Sequence, residues 1–249
     1  MFNIFGGSES EREAKILFGS TDESREEKVE RKSPYDGKVV STYPVCSAAD
    51  AQKALKIAKT ASKAAAKAPL HQRIAWLKDV AAKLREQEDD FAKMIVDEIA
   101  KPLHFARIEV RRCAETIELT AGELLSFGGE TIASDATPSG RQATAYYRRK
   151  PVGVAVCITP FNFPLNLIAH KIAPALGSGN AVVLKPTPEA PLTAYKFAKL
   201  FIDSEYAVPD ALSVVYGDAE VGSALVKSPI PRVISFTGSV GVGKIITAE

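Results

Sequence analysis

From Pro151 onward the chain alternates four times between a short apolar run and a stretch of helical periodicity. The runs are 152–158, 181–184, 212–215 and 233–236; the helical stretches are 165–176, 192–202, 220–226 and one beginning near Val240. A run that is apolar throughout has no side to turn to water, so it predicts a strand buried on both faces. Strands joined by helical crossovers run parallel, and the helices cover both faces of the sheet. The predicted class is therefore α/β. Ligands of such sheets sit outside the carboxyl ends of the strands, which makes the residues after each run the ones that matter.

The first half of the chain reads differently. Residues 1–32 form a charged leader in which Glu23, Arg25, Glu26, Glu27, Lys28, Glu30, Arg31 and Lys32 mix signs closely. A solvated, irregular segment is expected there, with Ile16, Leu17 and Phe18 as one small strand. Residues 33–37 read as a turn and 39–43 as a strand. From Ser47 to about Phe127 the spacing predicts four helices. Ser47 and Asp50 form a capping box at the start of the first, and Pro69 ends it. Ile74, Leu77, Val80, Ala81 and Leu84 share one face of the second; the third ends near Pro102; Gly128 and Gly129 close the fourth. The four are expected to pack as one helical layer. Residues 129–150 read as a projecting β-hairpin.

Composition excludes several classes. Hydrophobic residues make up 46% and charged residues 25%, as in ordinary globular proteins. A net charge of +2, from 32 basic and 30 acidic groups, argues for neither nucleic acid nor an anionic membrane as partner. No apolar run has the length of a membrane span, and Glu9, Glu11 and Glu13 stand where a signal peptide would be apolar. Cys46, Cys113 and Cys157 are odd in number and far apart, which predicts reduced thiols and a cytoplasmic location rather than disulfides or zinc. His71, His104 and His170 make no triad order or metal spacing.

The strand ends carry the chemistry. After the first comes Thr159-Pro160-Phe161-Asn162-Phe163-Pro164. The Asn162 amide, held at a rigid turn, suits a developing oxyanion; equally, Asn162 suits the N-cap of the next helix. After the second comes Lys185-Pro186-Thr187-Pro188-Glu189. Lys185 can bond the hydroxyls of an adenosine ribose, or it can be a surface lysine in a proline-rich turn. Glycines mark the third and fourth ends, at Gly217 and Gly222 and at Gly238 and Gly243. Phe236-Thr237-Gly238-Ser239 opens a helix whose bare amides suit a pyrophosphate, and Ser239 adds a hydroxyl. The three-glycine dinucleotide pattern is absent.

Taken in order, these segments resemble the aldehyde dehydrogenases. The resemblance rests on Val152-Gly153 followed by TPFNFPLN, then LKPTPEAPLTA, then ISFTGSVGVG, and extends from about Ile16 to Glu249. It implies a Rossmann-like parallel sheet with helices on both faces, an N-terminal helical layer and a projecting β-hairpin. It implies NAD or NADP as cofactor and a cysteine that attacks an aldehyde, passes hydride to the nicotinamide as a thiohemiacetal, and releases a carboxylic acid to water. Asn162 matches the oxyanion-holding asparagine, Lys185 the ribose-binding lysine, and Gly238 with Ser239 the pyrophosphate-binding pair. Gly222 lies beside the adenine cleft, and Thr159, Pro160 and Phe161 match the wall beside the nicotinamide half. Thr187, Pro188, Glu189, Gly217, Phe236, Thr237 and Val242 complete the candidate cofactor surface. Residues 33–128 and 151–249 would form the NAD(P)-binding domain, and 129–150 the oligomerisation hairpin of a homo-oligomer.

The chain departs from the family pattern twice. Pro188 stands where NAD-preferring members carry a glutamate, with Glu189 one step later, so NADP is admitted. The family's Glu-Leu-Gly-Gly motif and nucleophilic cysteine would fall beyond Glu249, outside this chain, and none of its three cysteines fits the role. The chain alone is then expected to be inactive, its catalytic domain being absent. Two alternatives keep the fold: a non-catalytic dinucleotide-binding module, and a reductase of acyl phosphates or acyl-CoA. The TPFNFPLNLIAHKIAP run points toward the branch acting on small hydroxyaldehydes or semialdehydes.

Overall fold

The computed structural model describes residues 12–140 and 143–249. Strands β1 (Ile16–Phe18), β2 (Thr21–Glu23) and β3 (Val29–Lys32) precede the turn at 33–37, and β4 (Val39–Tyr43) follows it. From residue 12 onward the charged leader is thus more ordered than expected; residues 1–11 lie outside the described residues. β3 pairs antiparallel with β4, and β1 enters the main sheet between β2 and a later strand. Ile16, Leu17 and Phe18 are all buried because an interior strand has a core on each side. The charges mislead because β2 and β3 lie at sheet edges, where charged side chains stay in water and block further pairing.

Helices α1 (Ala48–Lys67), α2 (Leu70–Glu86), α3 (Glu88–Ile99) and α4 (Leu103–Glu123) come next. They do not form one layer. The buried stripe of α1 is Ala51, Ala54, Leu55, Ala58 and Ala61, and such small side chains let the helix lie close on one face of the sheet. The larger side chains of α2, α3 and α4, among them Trp76, Phe91 and Ile117, pack on the opposite face. The ribbon of β5 (Gly129–Ile132) and β6 (Ala145–Arg148) is antiparallel and exposes Ile132 and Tyr146.

The capping box is present at α1: Ser47 accepts from the Asp50 amide, and Asp50 accepts from the Ser47 amide at 2.7 Å. Arg25, from the leader, forks the same carboxylate at 2.6 and 3.0 Å. These bonds, Arg25 foremost, hold the Asp50 carboxyl well below its usual value of 3.8. A depressed carboxyl stabilises the fold fully above that usual value and loses its effect as pH falls through the folded pKa. Asp50→Asn is therefore expected to lower stability by about 1–2 kcal/mol at neutral pH, with the gap to wild type closing in acid. Urea midpoints of both proteins from pH 7 to pH 2 test this; a gap that does not change with pH would refute it.

The remainder alternates as the sequence predicts: β7 (Val154–Ile158), α5 (Asn166–Gly177), β8 (Ala181–Lys185), α6 (Pro191–Ile202), β9 (Leu212–Val214), α7 (Ala219–Val226), β10 (Val233–Phe236) and α8 (Val240–Ala248). The sheet order is β10-β7-β8-β9-β1-β2, with β7 to β10 parallel and β1 antiparallel to both of its neighbours, β9 and β2. Side chains alternate between two cores. Val154, Val156, Ala181 and Val183 meet α1 and α7. Ala155, Cys157, Val182 and Leu184 meet the layer that contains α2 to α6. Each strand reads as apolar throughout because neighbouring residues serve opposite cores. The chain builds outward from β7 to β9 and then returns to the other side of β7 for β10. The strand order reverses between β7 and β10, so a crevice opens at their carboxyl ends. Among the described residues no helix is long and apolar enough to cross a membrane.

Candidate functional site

Backbone bonds bring the strand ends together. The Thr159 amide donates to the Lys185 carbonyl at 3.3 Å, and the Thr237 amide to the Ile158 carbonyl at 3.1 Å. Beside them, between α7 and α8, lies a cleft of about 470 Å³ whose lining includes Ile158, Lys185, Asp218, Gly222, Phe236 and Val242. Four of the candidate cofactor residues, Lys185, Gly222, Phe236 and Val242, thus meet in one place.

Lys185 is the charged centre of this cleft. Burial lowers its pKa, and the Asp218 carboxylate opposes that shift. Among the described residues its ammonium donates no hydrogen bond, an uncommon state for a half-buried cation and one that a ligand hydroxyl or phosphate would relieve. Asp218 is the N-cap of α7, accepting from the Glu220 amide at 3.0 Å. Gly222 keeps the wall flat, since a Cβ there would lie 3.9 Å from Lys185 Cε. Gly217 has φ +150°, and a Cβ on it would fall 2.5 Å from Val221 Cγ2, so glycine is required for the turn into α7. At Gly238 the constraint is the neighbouring ring: a Cβ would stand 2.5 Å from Phe236 Cζ. Ser239 is the N-cap of α8, accepting from the Val242 amide at 3.3 Å. Its hydroxyl proton is still free to donate.

The loop after Lys185 places its candidates on different sides. Thr187 is buried and accepts from the Glu189 amide at 3.3 Å, and Pro188 is exposed. The Glu189 carboxylate pairs with Arg31 of β3 and is not part of the cleft lining.

The loop after β7 bears on one of the two readings of Asn162, the helix cap. Leu165 precedes α5 and makes no side-chain cap. Instead, the buried Glu109 carboxylate of α4 accepts from the amides of Leu165 at 2.9 Å and Asn166 at 3.2 Å. Asn162 is therefore not the helix cap. It is exposed, and among the described residues its side chain makes no hydrogen bond. Its carbonyl accepts from Lys101 at 2.7 Å, and Lys101 is ion-paired with Glu109 and sits 4.2 Å from the Phe163 ring centroid. Lys101 and Glu109 escape a reading of strand ends. One signal for Glu109 existed, a carboxylate on the same helix face as Ala106, Val110 and Cys113.

The floor of the crevice is polar. Thr159 is buried, and among the described residues its hydroxyl has no hydrogen-bond partner. Lys171 of α5, another residue that strand-end reasoning misses, donates to Thr237 Oγ1 at 2.7 Å and Ser235 Oγ at 3.2 Å. Its pKa is lowered by burial. Pro160 is half-buried, and Phe161, 59% exposed, forms an open aromatic wall beside Asn162. The cysteines stand apart from all of this. Cys46, Cys113 and Cys157 are buried, and desolvation pushes Cys46 up to about 11, Cys157 up to about 12 and Cys113 well above 9.0. None is a thiolate at neutral pH. A cation, two helix N-termini and apolar walls at a strand-order reversal can hold an extended anion with a flat ring.

Residues 21–249 match the sequence profile of the aldehyde dehydrogenase family. Aspartate-semialdehyde dehydrogenase 1 of Pseudomonas canavaninivorans is 37% identical over 219 residues, which is 88% of this chain and 46% of that protein. Lactaldehyde dehydrogenase of Methanocaldococcus jannaschii is 35% identical over 221 residues, covering 87% of this chain and 46% of that one. The solved structure of NADP-dependent glyceraldehyde-3-phosphate dehydrogenase from Bacillus halodurans C-125, complexed with NADP, superposes with a TM-score of 0.90 at 35% identity. That superposition covers 95% of this chain and 50% of the other. The chain spans about half the length of the curated relatives it matches.

Proposed function

The chain belongs to the aldehyde dehydrogenase family, and from that premise we propose that it is the cofactor-binding part of an NAD(P)-dependent oxidation of an aldehyde to a carboxylic acid. The observation that carries this is Lys185: a half-buried cation with no hydrogen-bond acceptor among the described residues, facing a glycine-flattened cleft beside the strand-order reversal. In this reading Lys185 bonds the adenosine ribose. Gly222, Phe236 and Val242 wall the adenine, and Gly217 sets the turn that aims α7. Gly238 and Ser239 present the N-terminus of α8 to the pyrophosphate. Thr159, Pro160 and Phe161, with Thr237, flank the nicotinamide half. When bound, the nicotinamide serves as hydride acceptor. The free Asn162 amide donates to the oxyanion that forms when a cysteine thiolate, not one of this chain's three, adds to the aldehyde as a thiohemiacetal. Residues 33–128 and 151–249 act as the NAD(P)-binding unit, and the ribbon within 129–150 as a contact between copies in a homo-oligomer. The three buried free thiols suit a reducing cytoplasm. Small semialdehydes or hydroxyaldehydes are the proposed substrates, supported by the names of the relatives.

Titration of the chain with each cofactor tests the reading. Pro188 neither accepts bonds from ribose hydroxyls nor repels a 2′-phosphate, and Glu189 is held elsewhere by Arg31. NADP is therefore expected to bind at least as tightly as NAD. Pro188→Glu should shift preference toward NAD by an amount on the order of 1–3 kcal/mol. A tenfold or greater preference of the unmodified chain for NAD would show the selectivity residue to be misplaced.

A second expectation follows from the buried thiols. Assayed by itself, the chain should oxidise no aldehyde with either cofactor, because no cysteine in it is both ionised and open to the crevice. Turnover that persists when Cys46, Cys113 and Cys157 are replaced, yet disappears in Asn162→Ala, would sink the mechanism.

A further inference from the structure

Arg31 works in two directions at once. Its Nε and Nη2 donate to the Glu98 carbonyl at 2.8 and 2.5 Å, and its Nη1 pairs with the Glu189 carboxylate. The Glu98 end of this grip is firmly seated. The Glu98 side chain is buried and accepts from the amides of Leu192 and Thr193 at 2.9 Å each. It also accepts from the hydroxyls of Ser41 and Thr193 at 2.7 Å each. Burial raises the carboxyl's pKa, and those four donors oppose the rise. Glu98 thus caps α6 with its side chain and fixes Arg31 with its carbonyl, and Arg31 in turn fixes Glu189. The loop that carries the candidate ribose contacts is held from behind by β3, an element outside the cleft.

We infer that Arg31 determines cofactor specificity: by pairing with Glu189 and tethering it, Arg31 keeps a carboxylate from acting at the 2′ position of the adenosine ribose. The inference rests on the cofactor reading above. Lys185 and Glu189 are the only charged side chains of 185–190. Paired with Arg31, Glu189 adds no net charge to this loop. Released, it adds a full negative charge within at most about 14 Å of chain from Lys185. A 2′-phosphate is repelled by that charge, whereas ribose hydroxyls can donate to it. A lysine at 31 could not do the same work, because a point charge cannot span a carbonyl and a carboxylate as a planar fork does. A purely structural role would weaken both cofactors alike and leave their ratio unchanged.

The experiment titrates NAD and NADP separately into the full chain, for wild type, Arg31→Met, Glu189→Gln and the double variant. Arg31→Met is expected to move the Kd ratio toward NAD by about fivefold at low salt and less at high salt. The double variant should return the ratio to within about twofold of wild type, because the carboxylate that acts is gone. Equal weakening of both cofactors in Arg31→Met, or a double variant that keeps the single's shift, overturns the inference. Glu189→Gln disturbs no buried group and decides the matter if Arg31→Met does not fold. A move of no more than about threefold toward NADP supports the tether; a larger one shows Glu189 already acting at the ribose and overturns it. A wild-type chain that binds neither cofactor overturns the cofactor reading and this inference with it.

Discussion

Glu109→Ala is expected to destabilise the fold by about 3–5 kcal/mol, the usual result of removing one partner of a buried ion pair. The Glu109 side chain is wholly buried, and it serves three donors: Lys101 and the amides of Leu165 and Asn166. Alanine leaves two helix-terminal amides without an acceptor, strips a mostly buried ammonium of its counter-charge, and adds a cavity. Glu109→Gln keeps the one oxygen to which both amides donate, gives up only the oxygen paired with Lys101, and should lose distinctly less. Equilibrium urea unfolding measures both, and hydrogen exchange at Leu165 and Asn166 shows whether the loss is centred on the start of α5. A Glu109→Ala protein within about 1 kcal/mol of wild type would mean that α5 is held by packing alone.

Asn162→Ala should do the opposite: spare the fold and remove the chemistry. In any form of the protein that oxidises aldehydes, kcat is expected to fall by about 10²–10³, as when one oxyanion donor is lost. Stability and cofactor affinity should stay close to wild type, because the exposed Asn162 side chain has no partner among the described residues. The contrast with Glu109 is informative. If Asn162→Ala lowered the melting temperature as a lost cap does, the assignment of the α5 cap to Glu109 would be wrong. If kcat stayed within a few-fold of wild type, Asn162 would have no part in the reaction.

What could be read from the sequence was whatever is local in the chain. The runs of β7 to β10 are legible because each residue has a core to face, so hydrophobicity persists without alternation. The Ser47–Asp50 box is legible because both partners lie within one turn. The caps of α5 and α6 are not, since Glu109 and Glu98 reach them from 56 and 94 residues away. A residue at the helix start, such as Asn162, then invites a role it does not have. The separation of α1 from the other three helices depends on how closely an alanine stripe can approach a sheet, which periodicity does not report. Of the candidate cofactor surface, the residues at strand ends could be named because parallel topology gathers those ends. Which way Glu189 turns was not, because the answer lies in Arg31, on a strand whose charges resemble those of a tail.

The pairing of β1 constrains how such a chain can be made. Leu17 is zipped to Val214, and the Gly19 amide donates to Ser213 Oγ across 194 residues. β2 can pair with β1 at once, but β9, the neighbour on the other side, lies across those 194 residues. Until β1 is seated on β9, Ile16, Leu17 and Phe18 lack one of the cores that bury them, and the outer edge of β9 stands open to any other strand it meets. Closing so long a loop is slow compared with helix formation. The seating of β1 on β9 is therefore expected to come late in folding, and the unpaired edge of β9 is the surface left exposed until it does.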